Sequence, residues 1–448
     1  MKKIAIIFLM VTLVVTMGFL GIGCKAEEAV ETTAAPAEEE DLITKEPVTI
    51  SFWTIAGPQN DMWQGFKKLY EAKHPNVTIE ITPTEAAAYY DMIPSALASG
   101  QEKLDFLFHA GGTQIDTWAK EGLLLDLTNY AEENNWYDQM YGGAQDYIVH
   151  GLGTYWLSTD YIISPLYFYN KSIFKEVGVT PPTTLDELLT ISEKIRGAGY
   201  EPLAMGSVWA AQANHTFSQL LARFLTDEDA KKFTFYQREM SAENAEIFKS
   251  EGVIKALDYL KELSEKSFCE GFSSLDMGQA RQVFIDEKAA MWGFGTWEIG
   301  LVRDGNPNLD FDYFLMPPYN GKDSMVASFC NGVTVPANVS KEKIPVIVDI
   351  INNVLSNKEY ATVGFQNGNI SSSKSMSPEE IAELVDPLMV KAISDIGKYN
   401  SIDIAGVWFS GTLLTAYNDA LVGLVNGSLS SEEASQMMYD AAIEILEQ

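Results

Sequence analysis

The chain is short of the residues from which most enzymes and metalloproteins build their centres. It has only three cysteines and four histidines. His74, His109, His150 and His215 stand far apart in sequence, so no local metal-ligand cluster exists. C-x-x-C, H-E-x-x-H, G-x-S-x-G and a glycine-rich Walker loop are all missing. Those absences remove the sequence signals of thiol-redox sites, zinc hydrolases, nucleophile-elbow hydrolases and P-loop enzymes. No catalytic residue, metal or cofactor is expected. Paired carboxylates of the glycosidase kind stay open as an alternative, because 62 acidic residues supply pairs anywhere. Positive charge is scarce as well: 31 Lys and Arg stand against those 62 acids, a formal net charge of −31. A strongly acidic chain without a basic block suits neither nucleic acid nor an anionic lipid surface.

The N-terminus is where basic and apolar residues concentrate. Lys2 and Lys3 precede an almost unbroken apolar run, Ile4 to Leu20, followed by Gly21-Ile22-Gly23-Cys24. A positive start, an apolar core and small residues at a cut site make a secretory signal over 1–24. An uncleaved anchor is the alternative, since about 20 apolar residues span a bilayer. Either reading places residue 25 onward outside the cytoplasm. Residues 25–46 contain no aromatic residue and many Glu, so they are predicted to be a disordered, self-repelling tether. Beyond Cys24 only Cys269 and Cys330 remain, either as one disulfide or as two buried free thiols. About 400 further residues exceed a single core, which implies two domains.

Past the tether, short apolar runs alternate with helical patterns. Val48–Trp53, Val77–Ile81 and Leu104–Phe108 read as strands, with helices over Asp61–Lys73 and Tyr89–Ala98 between them. The pattern resumes with Leu166–Tyr169, a helix over Thr184–Gly197, and Leu203–Met205. Such alternation predicts an α/β protein with parallel sheets.

These segments resemble a known series. VTISFWTIAGPQNDMWQGFKKLYEAKHPNVTIEI is similar to the opening of the family 1 extracellular solute-binding proteins, the maltose-binding-protein group of ABC sugar importers, here in lipoprotein form. LDFLFHAGGTQIDTWAKEGLLLDLT, PLYFYNKSIFKEVGVTPPTTLDELLTISEKI, VFIDEKAAMWGFGTW and the C-terminal GTLLTAYNDALVGLVNGSLSSEEASQMMYDAAIEIL follow in the same order. The likeness runs from about residue 47 to residue 448. It implies two α/β lobes of the periplasmic-binding-protein kind, each a mostly parallel sheet flanked by helices, joined by three hinge crossings. The crossings fall near Tyr161–Pro165, Ala327–Gly332 and Asn367–Ser373. Lobe 1 is then 47–162 with 331–370, and lobe 2 is 163–330 with 371–448, the C-terminal helices touching both. Gly332 and Gly368 suit crossings that need backbone freedom. The N-terminal segment is also similar to a bacterial lipobox, with Cys24 as the lipidated residue, although Gly21 stands where that motif has Leu.

Ligands of such sheets sit outside the carboxyl ends of the strands, which points to the loops after Trp53, Phe108 and Met205. The first offers an indole and the amide of Gln59, the second His109 and close backbone approach, the third Ser207 and Trp209. A pyranose has an apolar C–H face that packs on an aromatic ring and hydroxyls that need paired donors and acceptors. The resemblance implies stacking by Trp209, Trp297 and Trp408, first-lobe contacts from Trp53 and His109, and hinge-side contacts from Asp160, Tyr161 and Asn331. Each has a plain alternative. Large aromatics are mostly core, a loop carboxylate is usually only solvated, and Trp63, Trp118 and Trp292 have core spacing. Cys330 reads as a small core hydrophobe. The implied partners are a small-molecule sugar, an ABC permease and the membrane through a lipid anchor, with the protein a monomer. A polyamine, peptide or metal chelate in the same fold, a scaffold lipoprotein and a secreted glycoside-active enzyme are the rival readings. A polyamine site favours several carboxylates, and a sugar site favours Trp with Asn, Gln and Asp.

Overall fold

Alternation of inward and outward residues explains the first strands. In a computed structural model, which describes residues 43–141, 152–396 and 398–447, Val48–Ile55 is β1 and Val77–Thr84 is β2, paired in parallel. Ile50 and Phe52 turn into the core. The signal segment, most of the tether and His150 lie outside the described residues. At the end of the expected tether, Asn76 Nδ2 donates to the carbonyls of Thr44 and Lys45 at 3.2 Å each.

Between β1 and β2 runs a helix, Pro58–Lys73, that starts three residues earlier than its periodicity predicts. Pro58 is tolerated there because the first turn has no intrahelical N–H partner to lose. Its buried face, Gln59, Met62, Trp63, Phe66 and Tyr70, keeps the 3–4 spacing of an amphipathic helix. Trp63 packs 4.3 Å from Phe52, and Phe52 stacks 4.2 Å from Phe106. A second helix, Ala86–Ser99, leads to β3, Phe106–His109. The apolar run from Leu104 predicts a longer strand. It is shortened because the buried carboxylate of Asp105 accepts from Ser51 N at 2.7 Å and pairs with Lys343 Nζ at 2.8 Å.

The remaining strands are β4 Trp156–Ile163, β5 Leu166–Asn170, β6 Glu201–Ala204, β7 Ala289–Phe294, β8 Phe311–Phe314, β9 Met325–Thr334, β10 Ile370–Ser371 and β11 Ser401–Ile402. They form a first sheet ordered β10-β4-β9-β3-β1-β2, with β11 on β9, and a second ordered β6-β7-β5-β8. Both sheets are mixed, which corrects the expectation of mostly parallel ones. β1 pairs in parallel with β2 and β3, and β6 with β7. The pairings of β9 with β3 and β4, of β10 with β4, and of β5 with β7 and β8 are antiparallel. The reason is topological. β4 carries the chain out of the first sheet and β9 brings it back, so the two run in opposite senses. Parallel neighbours would each need a long crossover.

The second sheet is covered by helices. Ala211–Phe224, Glu251–Ser267, Gly411–Val425 and Ser431–Glu444 share one apolar cluster through Phe217, Leu260, Tyr417, Leu421 and Met438. Arg223 is the largest of the buried polar side chains on these helices. Arg223, 1% exposed, donates to the carbonyls of Pro317, Met316 and Ser324 at 2.8, 2.8 and 2.6 Å. Burial lowers its pKa to about 10. Cys269 and Cys330 are buried free thiols and do not pair.

Candidate functional site

Three of the sequence-predicted site residues meet at the hinge. Gln59 Nε2 donates to Asp160 Oδ2 at 2.8 Å, and Asn331 Nδ2 donates to the same oxygen at 3.0 Å. Thr159 Oγ1 donates to Asp160 Oδ1 at 3.0 Å. Gln59 Nε2 also reaches Asn369 Oδ1 at 3.0 Å. Asp160 is fully buried. Burial raises its pKa to about 6, opposed by the donors from Asn331, Gln59 and Thr159. Thr159 and Asn369 were not singled out from sequence. Asn369 falls inside the expected third crossing, which is the one signal that could have found it.

Around this cluster stand the rings. Tyr89, fully buried, donates its hydroxyl to Trp53 O at 3.0 Å and Phe108 O at 2.7 Å, tying the carboxyl ends of β1 and β3 together. Its neighbour Tyr90 therefore turns toward those ends and meets His109 edge-on at 5.6 Å. Tyr90 also faces Trp209 of the second lobe, with ring centroids 6.5 Å apart and planes 27° from parallel. Sequence reasoning missed Tyr90. Its only signal was a Tyr-Tyr pair on a helix, where consecutive side chains point about 100° apart.

Trp209 is half-buried at the start of the helix Ala211–Phe224. The turn before it is fixed by Gln212, which accepts from Gly206 N at 2.8 Å and donates to Gly293 O at 3.1 Å. Trp297, also half-buried, packs against the cores of both sheets, edge-on to Phe294 at 4.8 Å. Its ring lies on the backbone of Gly295: a Cβ there would come within 2.0 Å of the indole. The next residue, Glu298, is fully buried and accepts from Arg281 Nε at 2.5 Å and Trp292 Nε1 at 3.0 Å.

The other predicted residues lie deeper. His109 is 2% exposed, with Nδ1 accepting from Gly111 N and Nε2 3.1 Å from Gln114 Oε1. Both ring nitrogens thus have protein partners, and burial lowers its pKa to about 4, which keeps the ring neutral. Tyr161 is 5% exposed and packs edge-on against Phe329 at 4.4 Å. Trp408 is 1% exposed, with Arg238 over its ring at 3.9 Å and Phe235 beside it. Trp53 is half-buried on the first core, while Trp63, Trp118 and Trp292 are core residues. Gly332 serves close approach: a Cβ there would meet Leu157 O at 2.1 Å. Among the described residues no group of His, Cys, Asp and Glu could hold a metal ion.

Two α/β lobes, joined by strands that pass between them and facing each other through aromatic rings, define a hinged small-molecule binding protein. The comparisons agree. Residues 56–361 match the bacterial extracellular solute-binding protein family. An uncharacterised ABC transporter extracellular-binding protein of Pyrococcus horikoshii is 22% identical over 64% of this chain and 63% of its own length. A multiple sugar-binding protein of Streptococcus mutans is 22% identical over 72% and 71%. The solved structure of a chitin oligosaccharide binding protein superposes with a TM-score of 0.76 at 19% identity, covering 89% of this chain and 98% of that one. The chain belongs to the bacterial extracellular solute-binding protein family. Among the described residues no helix is long and apolar enough to cross a membrane.

Proposed function

We propose that the protein closes its two lobes on a carbohydrate outside the cytoplasm and delivers it to an ABC permease. The observation that carries this reading is the Tyr90–Trp209 pair, one ring from each lobe, beside a cluster of amides and a carboxylate. Flat apolar rings with amide donors match the two-sided chemistry of a pyranose. Gln59 Oε1 is buried without a hydrogen-bond partner and is a spare acceptor for a ligand hydroxyl. The likeness to a multiple sugar-binding protein and to a chitin oligosaccharide binding protein supports the same class. A single carboxylate already covered by amides argues against a polyamine.

In this reading Trp53, Trp209 and Trp297 supply faces, and Gln59 and Asn331 supply the polar floor with Asp160. His109, Tyr161 and Trp408 shape the cleft from behind. The lobes comprise 47–162 with 331–370 and 163–330 with 371–448. The monomer is held at the membrane by acyl chains on Cys24, where two chains give stable anchoring. Ligand binding shifts the population toward the closed form, and no bond is made or broken.

The test is a titration with mono- and oligosaccharides followed by Trp fluorescence and melting temperature. A bound sugar at 100 times its Kd should add about 2.7 kcal/mol of stability. Stabilisation by polyamines, amino acids or peptides with no response to any sugar would sink the carbohydrate assignment.

A further inference from the structure

The helix Ala211–Phe224, which begins two residues after Trp209, carries His215 at the start of its second turn. The side chain is half-buried, and its Nδ1 lies 2.6 Å from Ser164 Oγ. Ser164 sits in the link between β4 of the first sheet and β5 of the second. That link takes another bond one residue earlier, from Thr296 N to Ile163 O at 3.0 Å, beside Trp297. The imidazole stands edge-on to Trp297 with ring centroids 6.1 Å apart, and 5.1 Å from Phe294. One turn further along the same face of the helix, Gln219 donates to Ser324 O at 2.6 Å and accepts from Val326 N at 3.2 Å. Ser164 N donates to Val326 O at 3.1 Å. These bonds seat the helix on the ends of β4 and β9 and hold the imidazole at the crossing.

Ser164 takes up Nδ1, and among the described residues Nε2 has no hydrogen-bond partner. Burial lowers the pKa of the ring to about 3, so it is neutral near pH 7. In a neutral imidazole one nitrogen donates and the other accepts. The Ser164 hydroxyl can serve either role toward Nδ1 by turning its proton, so the group that meets Nε2 selects the tautomer. A sugar hydroxyl is itself both donor and acceptor, and it satisfies either form.

We propose that His215 is a ligand-contact residue of the second lobe, its Nε2 hydrogen-bonding a hydroxyl of a sugar held against Trp297, with Ser164 positioning the ring. Ser164 has no exposed surface, so it acts through the imidazole and not on the sugar. The inference deepens the carbohydrate reading above and rests on it.

Modification by diethylpyrocarbonate, mapped by mass spectrometry on the mature protein, tests it with galactose, maltose, raffinose and a chitin oligosaccharide as probes. The reagent acylates an accessible neutral imidazole nitrogen. Ligand-free protein should react at His215 and not at His109, whose ring nitrogens both have protein partners. A probe that raises the melting temperature should, at ten times its Kd, slow modification of His215 about tenfold. His215→Phe keeps a flat ring and loses Nε2, so it should raise the Kd of that probe about tenfold. Ser164→Ala should raise it by a smaller factor and shift the 15N resonance of His215 Nδ1, which a purely structural role would leave in place. Three results overturn the proposal and leave the carbohydrate reading standing: no modification of His215 in ligand-free protein, no protection by a probe that stabilises the protein, or an unchanged Kd in folded His215→Phe. The first two are read on the wild type, so the test holds if His215→Phe does not fold. A protein that none of the four sugars stabilises refutes the carbohydrate reading, and this inference with it.

Discussion

Replacing Gly295 by Ala puts one methyl group where the indole of Trp297 lies. The added carbon would stand 2.0, 2.2 and 2.5 Å from three ring atoms, against an ordinary contact of 3.4 Å or more. The ring therefore has to retreat by about 1.4 Å to restore contact. It cannot do so freely, because Phe294 packs edge-on at 4.8 Å and His215 stands edge-on at 6.1 Å. Overpacking of this kind costs about 1–3 kcal/mol. The displaced ring should also bind ligand more weakly. A loss of about 1.4 kcal/mol, near the upper end of what a well-placed aromatic contact contributes, raises Kd about tenfold. Urea unfolding reads the first effect and a sugar titration the second. The decisive comparison is the double variant Gly295→Ala with Trp297→Ala, in which the methyl has room. There the Gly295→Ala penalty should shrink by about 1 kcal/mol or more. A penalty that stays the same with and without the indole refutes the steric argument, and an unchanged Kd in the single variant removes Trp297 from the site.

Other positions give sharp expectations of their own. Arg223→Met takes their donor from the Met316 and Pro317 carbonyls, while Ser324 O keeps the amide of Gln219, and should cost about 3 kcal/mol in urea unfolding; a neutral result would mean that water replaces the guanidinium. Asp105→Asn breaks the pair with Lys343 and weakens the bond to Ser51 N, for an expected loss of about 3 kcal/mol, whereas exposed pairs such as Lys73–Glu359 should be worth under about 1 kcal/mol. His109 has its folded-state pKa lowered to about 4 from an ordinary 6.5. Its contribution is therefore full above pH 6.5 and is lost as pH falls toward 4, by about 3 kcal/mol. Unfolding free energies of His109→Gln should fall less steeply than those of the wild type across that window, and parallel curves would contradict the assignment.

Where the sequence was readable, a single period ran through an element. Ile50 and Phe52 alternate inward along β1, and Met62, Trp63, Phe66 and Tyr70 recur at helical spacing, so both elements could be anticipated. β4 could not be. Ser158, Thr159 and Asp160 fill the middle of an eight-residue strand that is buried throughout, and polar residues in a row read as a loop. They are inside because each has a partner supplied from remote sequence: Gln59, Asn331 and Ser372 all converge there. The same holds for Arg223, whose carbonyl acceptors lie about a hundred residues downstream. For the candidate site, sequence could offer Trp residues and the loops that hold them as candidates. It could not say that Trp408 turns under Arg238, or that the ring facing Trp209 would be Tyr90, because both depend on how separate segments meet.

The abreast arrangement of β10, β4 and β9 also sets what kind of movement the lobes can make. A ribbon of hydrogen-bonded strands is stiff within its own plane and compliant across it, in the manner of a leaf spring. Sliding one lobe past the other would shear a whole ladder, while bending across the ribbon only tilts its bonds. The proposed closing movement is then a bend across this ribbon, as in a calliper. Under the proposed function such a calliper gauges the thickness of what lies between Tyr90 and Trp209, and a solute too thick for the jaws registers as an angle that never closes.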